Sequence, residues 1–257
     1  MTAQKAPPVT SLCRYTNDQV FIREADLCRD IIGKMTFTEL VYYHLIGRRA
    51  SADETGMLDA ILVTLMEHGF TPSAIATRMI ALSSPEAMQA AVAAGLLGVG
   101  SQFIGTIEDS ARLLRDLVQE GGDVGSRAEI IVRKYRQERR HLPGFGHHLH
   151  RPDDPRTSPI LAVARNRGQA GQHVEALELL GRTVDRVHGR HITINVTGAI
   201  GAILGDMGIP LEVIRGIAVI SRAAGLVGHV HEEYQQPAAR VIWEMTEASL
   251  NHQAGRK

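Results

Sequence analysis

Apolar residues in this chain recur at steps of three and four almost from end to end, a period that suits packed helices. Met57, Ile61, Leu65 and His68 follow it, as do Val174, Leu177, Leu180, Val184 and Val187. Each set therefore falls along one face of a helix turning about every 3.6 residues. Alternation at every second position is scarce, and aromatic residues make up only 4% of the chain, which argues against a β-sandwich. The expected fold class is all-α.

Local signals give this reading its punctuation. Thr36-Phe37-Thr38-Glu39 is a capping box that opens a helix through Val41–Ile46, which Gly47 ends. Ser83-Ser84-Pro85-Glu86 reads as a second start, with serine as cap and proline in the first turn. The helix expected there runs through an Ala-rich stretch to Gly95 or Gly98, and its small residues permit close helix–helix approach. Gly121-Gly122-Asp123 and Pro143-Gly144 are breaks. Between them Ser126 to Arg140 forms a basic helix carrying Arg127, Arg133, Lys134, Arg136, Arg139 and Arg140, which by default is a solvated face.

At 257 residues the chain can bury a substantial core, in one large or two unequal domains. Lys+Arg and Asp+Glu are both 28, giving zero formal charge. That argues against a general nucleic-acid binder and leaves room for a local basic patch. Cys13 and Cys28 are expected as reduced thiols. Met1 to Thr10 is polar and proline-containing, a tail without signal-peptide character, and Ala87–Val99 is too short and too rich in Gly and Ala to span a bilayer. A soluble, cytoplasmic protein is expected, with no membrane partner.

The densest chemistry lies in Gly144-Phe145-Gly146-His147-His148-Leu149-His150-Arg151-Pro152-Asp153-Asp154-Pro155-Arg156. Glycines on both sides of Phe145 let the backbone turn tightly and approach a ligand. His147 can donate or exchange a proton near neutral pH. Arg156, just after the rigid Asp154-Pro155 pair, offers a planar fork that suits a carboxylate. The twelve histidines suggest zinc at first, but His147, His148 and His150 lack a His-Glu-x-x-His spacing or paired cysteines. No metal is expected.

Gly-Phe-Gly-His followed by Asp-Pro-Arg closely resembles the signature of the citrate synthase family, which includes the citryl-CoA lyases and the C-terminal module of ATP-citrate lyase. The likeness covers most of the chain. Thr10–Cys13 followed by Gly33–Glu39 looks like the opening of a citryl-CoA lyase module. Leu65-Met66-Glu67-His68-Gly69 sits where the family has an acidic residue, a histidine and, in lyases, a glycine. Ser221–His229 resembles the family's Ala-Arg-x-x-Gly-x-x-x-His helix. Gly100-Ser101-Gln102-Phe103-Ile104-Gly105 matches a segment where synthases carry a further histidine; Phe103 stands in its place, as in the lyase branch.

This resemblance implies a discontinuous large helical domain, residues 1–110 and 198–257, and a small one, 111–197, with the site in the cleft. It implies that His68 contacts the keto-acid part of the substrate and that Arg156 and Arg222 bind its carboxylates. His68, His147 and Thr197, the last at the position of the family's aspartate, are implied to be catalytic, and His229 to be structural. Coenzyme A, as a thioester substrate, is implied to lie against Gly144, Phe145 and Gly146, with Arg139, Arg140 and Arg190 as partners for its phosphates; spacing does not say which of them reaches it. A homodimer is implied, with Tyr234 to Asn251 near or across the partner's site.

Two departures touch the chemistry. The family carries Asn-Val-Asp where this chain has Asn195-Val196-Thr197, and the Thr197 hydroxyl cannot act as a carboxylate base near pH 7. Gln235-Gln236-Pro237 stands where synthases place an arginine before a proline, unless Arg240 substitutes. Asp206 lies too far along the next helix to replace the aspartate, and Glu67 is expected on a different helix face from His68. The resemblance implies reversible Claisen-type cleavage of a carboxylated 3-hydroxyacyl-CoA into acyl-CoA and an oxaloacetate-like keto acid. The alternative is a diverged member that binds coenzyme A thioesters as a sensor or partner subunit.

Overall fold

The computed structural model describes residues 8–119 and 122–250. Met1–Pro7 of the expected tail, Gly121 of the expected break and Asn251 of the C-terminal segment lie outside the described residues. The chain divides into two compact units, Met1–Asp59 and Ala60–Lys257.

The first unit opens with three short antiparallel strands, β1 (Cys13–Tyr15), β2 (Val20–Ile22) and β3 (Ala25–Asp26). Cys13 pairs with Ile22 and Phe21 with Asp26. Strands of two or three residues hold too few alternations to show a period of two, so the helical pattern concealed them. A π-helical turn, Leu27–Ile31, follows, and Asp26 caps it by accepting from the Cys28 and Arg29 N–H groups. Helix α1 (Phe37–Ile46) starts on the expected capping box and ends at Gly47 in the left-handed region, φ 90°. Ala25, Ile31 and Tyr43 form the apolar centre of this unit, with Ile22, Leu27, Met35 and Leu40 against them.

The boundary between the units falls inside α2 (Ala52–Met66). Met57, Ile61 and Leu65 are buried as expected, but His68 lies beyond the helix end rather than on its stripe. The carboxylate of Glu67 accepts from the His68 and Gly69 N–H groups at 2.8 and 2.6 Å, which turns the chain out of the helix.

In the second unit, α3 (Pro72–Ser83), α4 (Met88–Leu97), α10 (Leu211–Gln235) and α11 (Ala239–Ser249) form one packed group. The other holds α5 (Thr106–Gln119), α6 (Val124–Gln137), α7 (Thr157–Asn166), α8 (Gln172–His188) and α9 (Val196–Asp206). The limits 110 and 198 inferred for the two domains fall inside α5 and α9. The Ser83–Glu86 start is corrected: Ser84 closes α3, its N–H donating to Ile80, and α4 begins only at Met88 without a side-chain cap. Proline cannot extend a helix, so Pro85 ends one here rather than opening the next. The basic helix begins earlier and stops earlier than expected, at Val124 and Gln137, with Asp123 as its cap.

Close backbone approach explains two glycines. A Cβ on Gly95 of α4 would stand 1.9 Å from Thr77 Oγ1 and 2.7 Å from Leu226 Cδ1, and one on Gly225 of α10 would stand 2.1 Å from the Met66 carbonyl oxygen. α10 is also long and apolar enough to cross a membrane by length and composition. Its Ile214, Ile217, Ala218, Arg222, Leu226, His229, Val230 and Glu233 are buried, and charged groups among apolar ones on the inner face mark a core helix.

Candidate active site

The Gly144–Gly146 turn is built by the backbone. Gly144 and Gly146 have φ of +85° and +75°, a region most side chains avoid. A Cβ on Gly144 would lie 2.8 Å from Ser110 Oγ and 2.9 Å from Gly198 Cα, so α5 and α9 both press on the turn. Gly146 N–H donates to the Thr193 carbonyl at 2.8 Å, Asn195 N–H to the Gly144 carbonyl at 3.0 Å, and Asn195 Nδ2 to the Gly146 carbonyl at 2.8 Å. Phe145 is buried. Its N–H donates to the Leu142 carbonyl at 3.2 Å.

That turn aims His147. Its Nδ1 accepts from the Leu149 and His150 N–H groups at 3.1 and 3.0 Å. An imidazole whose Nδ1 accepts must carry its proton on Nε2 when neutral. Burial, with the neighbouring His150 adding to it, pulls the pKa of His147 down to about 4. His147 is therefore a neutral Nε2–H donor at pH 7. Arg156 Nη2 lies 3.5 Å from that Nε2, too far for a bond between what are in any case two donors.

Arg156 stands just before α7 and grips Asp154 with two bonds, Nε to Oδ1 at 3.0 Å and Nη2 to Oδ2 at 2.9 Å. Asp154 also accepts from Val196 N–H at 2.9 Å. Burial pushes that carboxyl upward, but the Arg156 bond and the backbone donors outweigh it and hold the pKa at about 2. Asp154 is thus a fixed anion that orients Arg156. Among the described residues, Arg156 Nη1 makes no hydrogen bond.

From the other helix group come His68 and Arg222. The His68 ring lies 5.6 Å from that of His147 and 5.5 Å from that of His150, while His147 and His150 stack at 4.3 Å. Burial first, then the charges of Arg156, His150 and Arg222, lower the pKa of His68. Arg222 is 4% exposed, and among the described residues its Nε and Nη1 meet no hydrogen-bond partner. Burial lowers its pKa, Glu67 opposes this, and Arg156 adds to it. A buried guanidinium with two idle donors is costly unless an anion comes to it.

Thr197 occupies the second position of α9. Its hydroxyl donates to Asn195 Oδ1 at 2.7 Å and lies 3.0 Å from Thr106 Oγ1. Asn195 links Thr197 to the Gly146 turn. Phe103 is half exposed on the loop before α5. Arg140 is bonded to Glu138 at 2.9 Å and lies over the Tyr135 ring. Arg190 is exposed and acts with Arg136 on His188, whose pKa burial and those two charges lower. Arg240 is exposed on α11.

Behind His68 lies a network that sequence reasoning did not assemble. Buried Arg78 donates through Nε to His229 Nδ1 at 2.9 Å and through Nη1 to Glu233 at 2.9 Å, and also pairs with Glu232. His229 then donates through Nε2 to Glu67 at 3.0 Å. Both ring nitrogens of His229, expected to be structural, are thus engaged within the protein. Asp206 caps α8 and pairs with His173 at 2.9 Å, away from Thr197 as expected. His68, His147 and His150 each bring a nitrogen within 4.8 Å of the others, a cluster able to hold a metal ion. A metal on His147 Nε2 would force the proton onto Nδ1, against two backbone N–H groups, so the hydrogen bonding does not fit this use.

The family model of the citrate synthase C-terminal domain matches residues 13–243. A citryl-CoA lyase from Hydrogenobacter thermophilus is similar in structure, with a TM-score of 0.86 and 30% identity over 97% of this chain and 95% of that one. A putative citrate synthase 2 from Mycobacterium bovis is 30% identical over 68% of this chain and 47% of its own length. The beta chain protein 1 of ATP-citrate synthase from Arabidopsis thaliana is 23% identical over 74% of this chain and 33% of its own. The chain thus spans about a third of the length of such relatives.

Proposed function

The chain belongs to the citrate synthase family, and on that footing we propose that it is a citryl-CoA lyase-like oxo-acid lyase. It cleaves a carboxylated 3-hydroxyacyl-CoA reversibly into acetyl-CoA or a related acyl-CoA and an oxaloacetate-like keto acid. The observation that carries this is Arg222, a buried cation with two idle donors that shares its field with Arg156 and His68. Two carboxylates of a keto-acid portion satisfy Arg222 and Nη1 of Arg156. His147 Nε2–H and His68 then hold the oxygen that alternates between hydroxyl and keto forms, the position where fixed donors contribute most.

Coenzyme A enters as the thioester substrate. It lies along the Gly144–Gly146 backbone, with Arg190 the better placed of the named arginines for a phosphate, since Arg140 already holds Glu138. No metal takes part; the tautomer of His147 supports this, and activity unchanged by a chelator checks it. The substrate sits where the α3/α4/α10/α11 group meets α5–α9, so that His68 and Arg222 come from one side and His147, Arg156 and Thr197 from the other. A homodimer is supported by exposed Leu97 on α4 and by Val241, Trp243 and Met245 on α11. Light scattering that finds a monomer at micromolar concentration removes it. Both cysteines are free and exposed, in keeping with a reducing cytoplasmic setting.

Incubation with citryl-CoA tests the reading. Release of acetyl-CoA and oxaloacetate without free thiol identifies the lyase, whereas free thiol from acetyl-CoA plus oxaloacetate identifies a synthase. The hydroxyl at Thr197 favours one competing reading, a thioester-binding sensor. Tight binding of acetyl-CoA with no turnover in either direction would establish the sensor and end the enzyme reading.

A further inference from the structure

We propose that His150 is the proton carrier of this site, taking the hydroxyl proton of the thioester substrate and returning it to the acyl carbon. The proposal rests on the lyase reading above. In that reaction the hydroxyl oxygen loses a proton and becomes a keto group. The electron pair of the breaking carbon–carbon bond passes into the thioester as an enolate, and the acyl carbon then gains a proton. One imidazole that accepts the first proton and delivers it to the second atom closes the balance without any co-reactant.

The other groups at the site are unsuited, each for a separate reason. The Thr197 hydroxyl is no base near neutral pH, and its proton is committed to Asn195. Asp154 is held as an anion at about 2 by its partners, Arg156 first among them after the opposing burial. Glu67 accepts from two backbone N–H groups and from His229. His147 has no vacant acceptor, because Nδ1 is occupied and Nε2 bears the proton. His68 lies in the field of both Arg156 and Arg222, where an added positive charge is unfavourable.

His150 remains. Its ring is stacked on His147 at 4.3 Å with planes 25° apart, and one of its nitrogens lies within 4.8 Å of those of His147 and His68. An oxygen seated among these three nitrogens can therefore be reached by His150 as well as by His147. Among the described residues, neither ring nitrogen of His150 is spent on a hydrogen bond within the protein. Its backbone N–H, by contrast, fixes the His147 tautomer, so one residue sets the donor and supplies the carrier. The charged and titratable groups acting on His147 are His150, Asp154, His148 and Arg156, and those acting on His68 are Arg156, His150, Arg222 and Asp154.

The test is cleavage of citryl-CoA by wild type, His150→Gln and His68→Gln across pH, with acetyl-CoA binding and thermal midpoint as controls for folding. The glutamine variant keeps the backbone N–H to His147, so the donor survives. For His150→Gln we expect kcat to fall by about a hundredfold or more and KM to move less than about threefold. Added imidazole should restore part of the rate. A His150→Gln rate within about threefold of wild type overturns the proposal, as does a hundredfold loss of kcat confined to His68→Gln. If wild type itself leaves citryl-CoA intact, the lyase reading fails first and takes this proposal with it.

Discussion

Replacing Arg222 with methionine should make the protein more stable and unable to bind its keto acid. The guanidinium is 4% exposed, and its Nε and Nη1 donate to no group among the described residues. Each orphaned buried donor costs about 1–3 kcal/mol, so the pair costs about 2–6 kcal/mol before the charge of Glu67 returns some of it. An apolar side chain of similar length removes that cost. Exchanges of this kind stabilise by about 1–4 kcal/mol in other proteins. At about 2–4 °C per kcal/mol for a chain of this size, the thermal midpoint should rise by roughly 2–16 °C.

The second half of the prediction concerns ligand. Oxaloacetate at a hundred times its Kd should stabilise wild type by about 2.7 kcal/mol and the Arg222→Met protein not at all. Differential scanning fluorimetry with and without oxaloacetate measures both effects in one experiment. A lower midpoint for Arg222→Met would mean that the arginine is satisfied in the free protein. A retained oxaloacetate shift would mean that the carboxylate binds elsewhere. Either result refutes the reasoning.

Other consequences follow from the same geometry. Thr197→Asp removes the hydroxyl that donates to Asn195 Oδ1 at 2.7 Å and puts a carboxylate, which cannot donate there, in its place, so citryl-CoA cleavage should stay at or below wild type; a rise of about tenfold in kcat would show that a missing carboxylate was limiting. Burial, with His150 next, lowers His147 to about 4, so the unfolded chain takes up the proton first. Stability should therefore fall as pH drops from about 6.5 towards 4, by less than about 1.4 kcal/mol per pH unit because the ring is partly open to solvent. Asp154, depressed to about 2, contributes stability that is lost only below about pH 4, so unfolding curves of His147→Asn that run parallel to wild type between pH 6.5 and 4 would contradict this assignment. Gly144→Ala must place a Cβ at φ +85° and within 2.9 Å of Gly198 Cα; a drop of about 1–3 kcal/mol in denaturant unfolding is expected, and a neutral result would mean that the turn adapts.

What the sequence disclosed was local. The Thr36–Glu39 capping box and the Val174–Val187 stripe are complete within one or a few turns, and both appear as expected. Ser83-Ser84-Pro85 failed because a serine before a proline suits a helix end as well as a start, and nothing nearby decides between them. His68 kept the helical period yet left the helix, because the Glu67 side chain claims the next two N–H groups. Candidate ligands were legible as types: histidine, arginine and a glycine turn each carry their chemistry with them. Their company was not legible. His150 reads as one more histidine until the fold brings His68 beside it, and Asp154 reads as a turn residue until Arg156 closes on it.

Burial alone does not separate a structural arginine from a binding one, and the two in this core make that distinction testable. Arg78 is 1% exposed and Arg222 is 4% exposed. Arg78 spends its donors on His229, Glu233 and Glu232 and stacks over Phe70 at 4.8 Å. Glu233 in turn accepts from the Ala238 and Ala239 N–H groups that open α11. Removing Arg78 strands a buried carboxylate and loosens that helix start, and breaking such a pair costs about 3–5 kcal/mol. Arg78→Met should thus lower the thermal midpoint by roughly 6–20 °C, the opposite sign from Arg222→Met. The two substitutions delete the same charge from similar depths, so burial and net charge cannot account for opposite signs. Only the idle donors can, and midpoints that move in the same direction would remove the ground for treating Arg222 as an anion site awaiting its ligand.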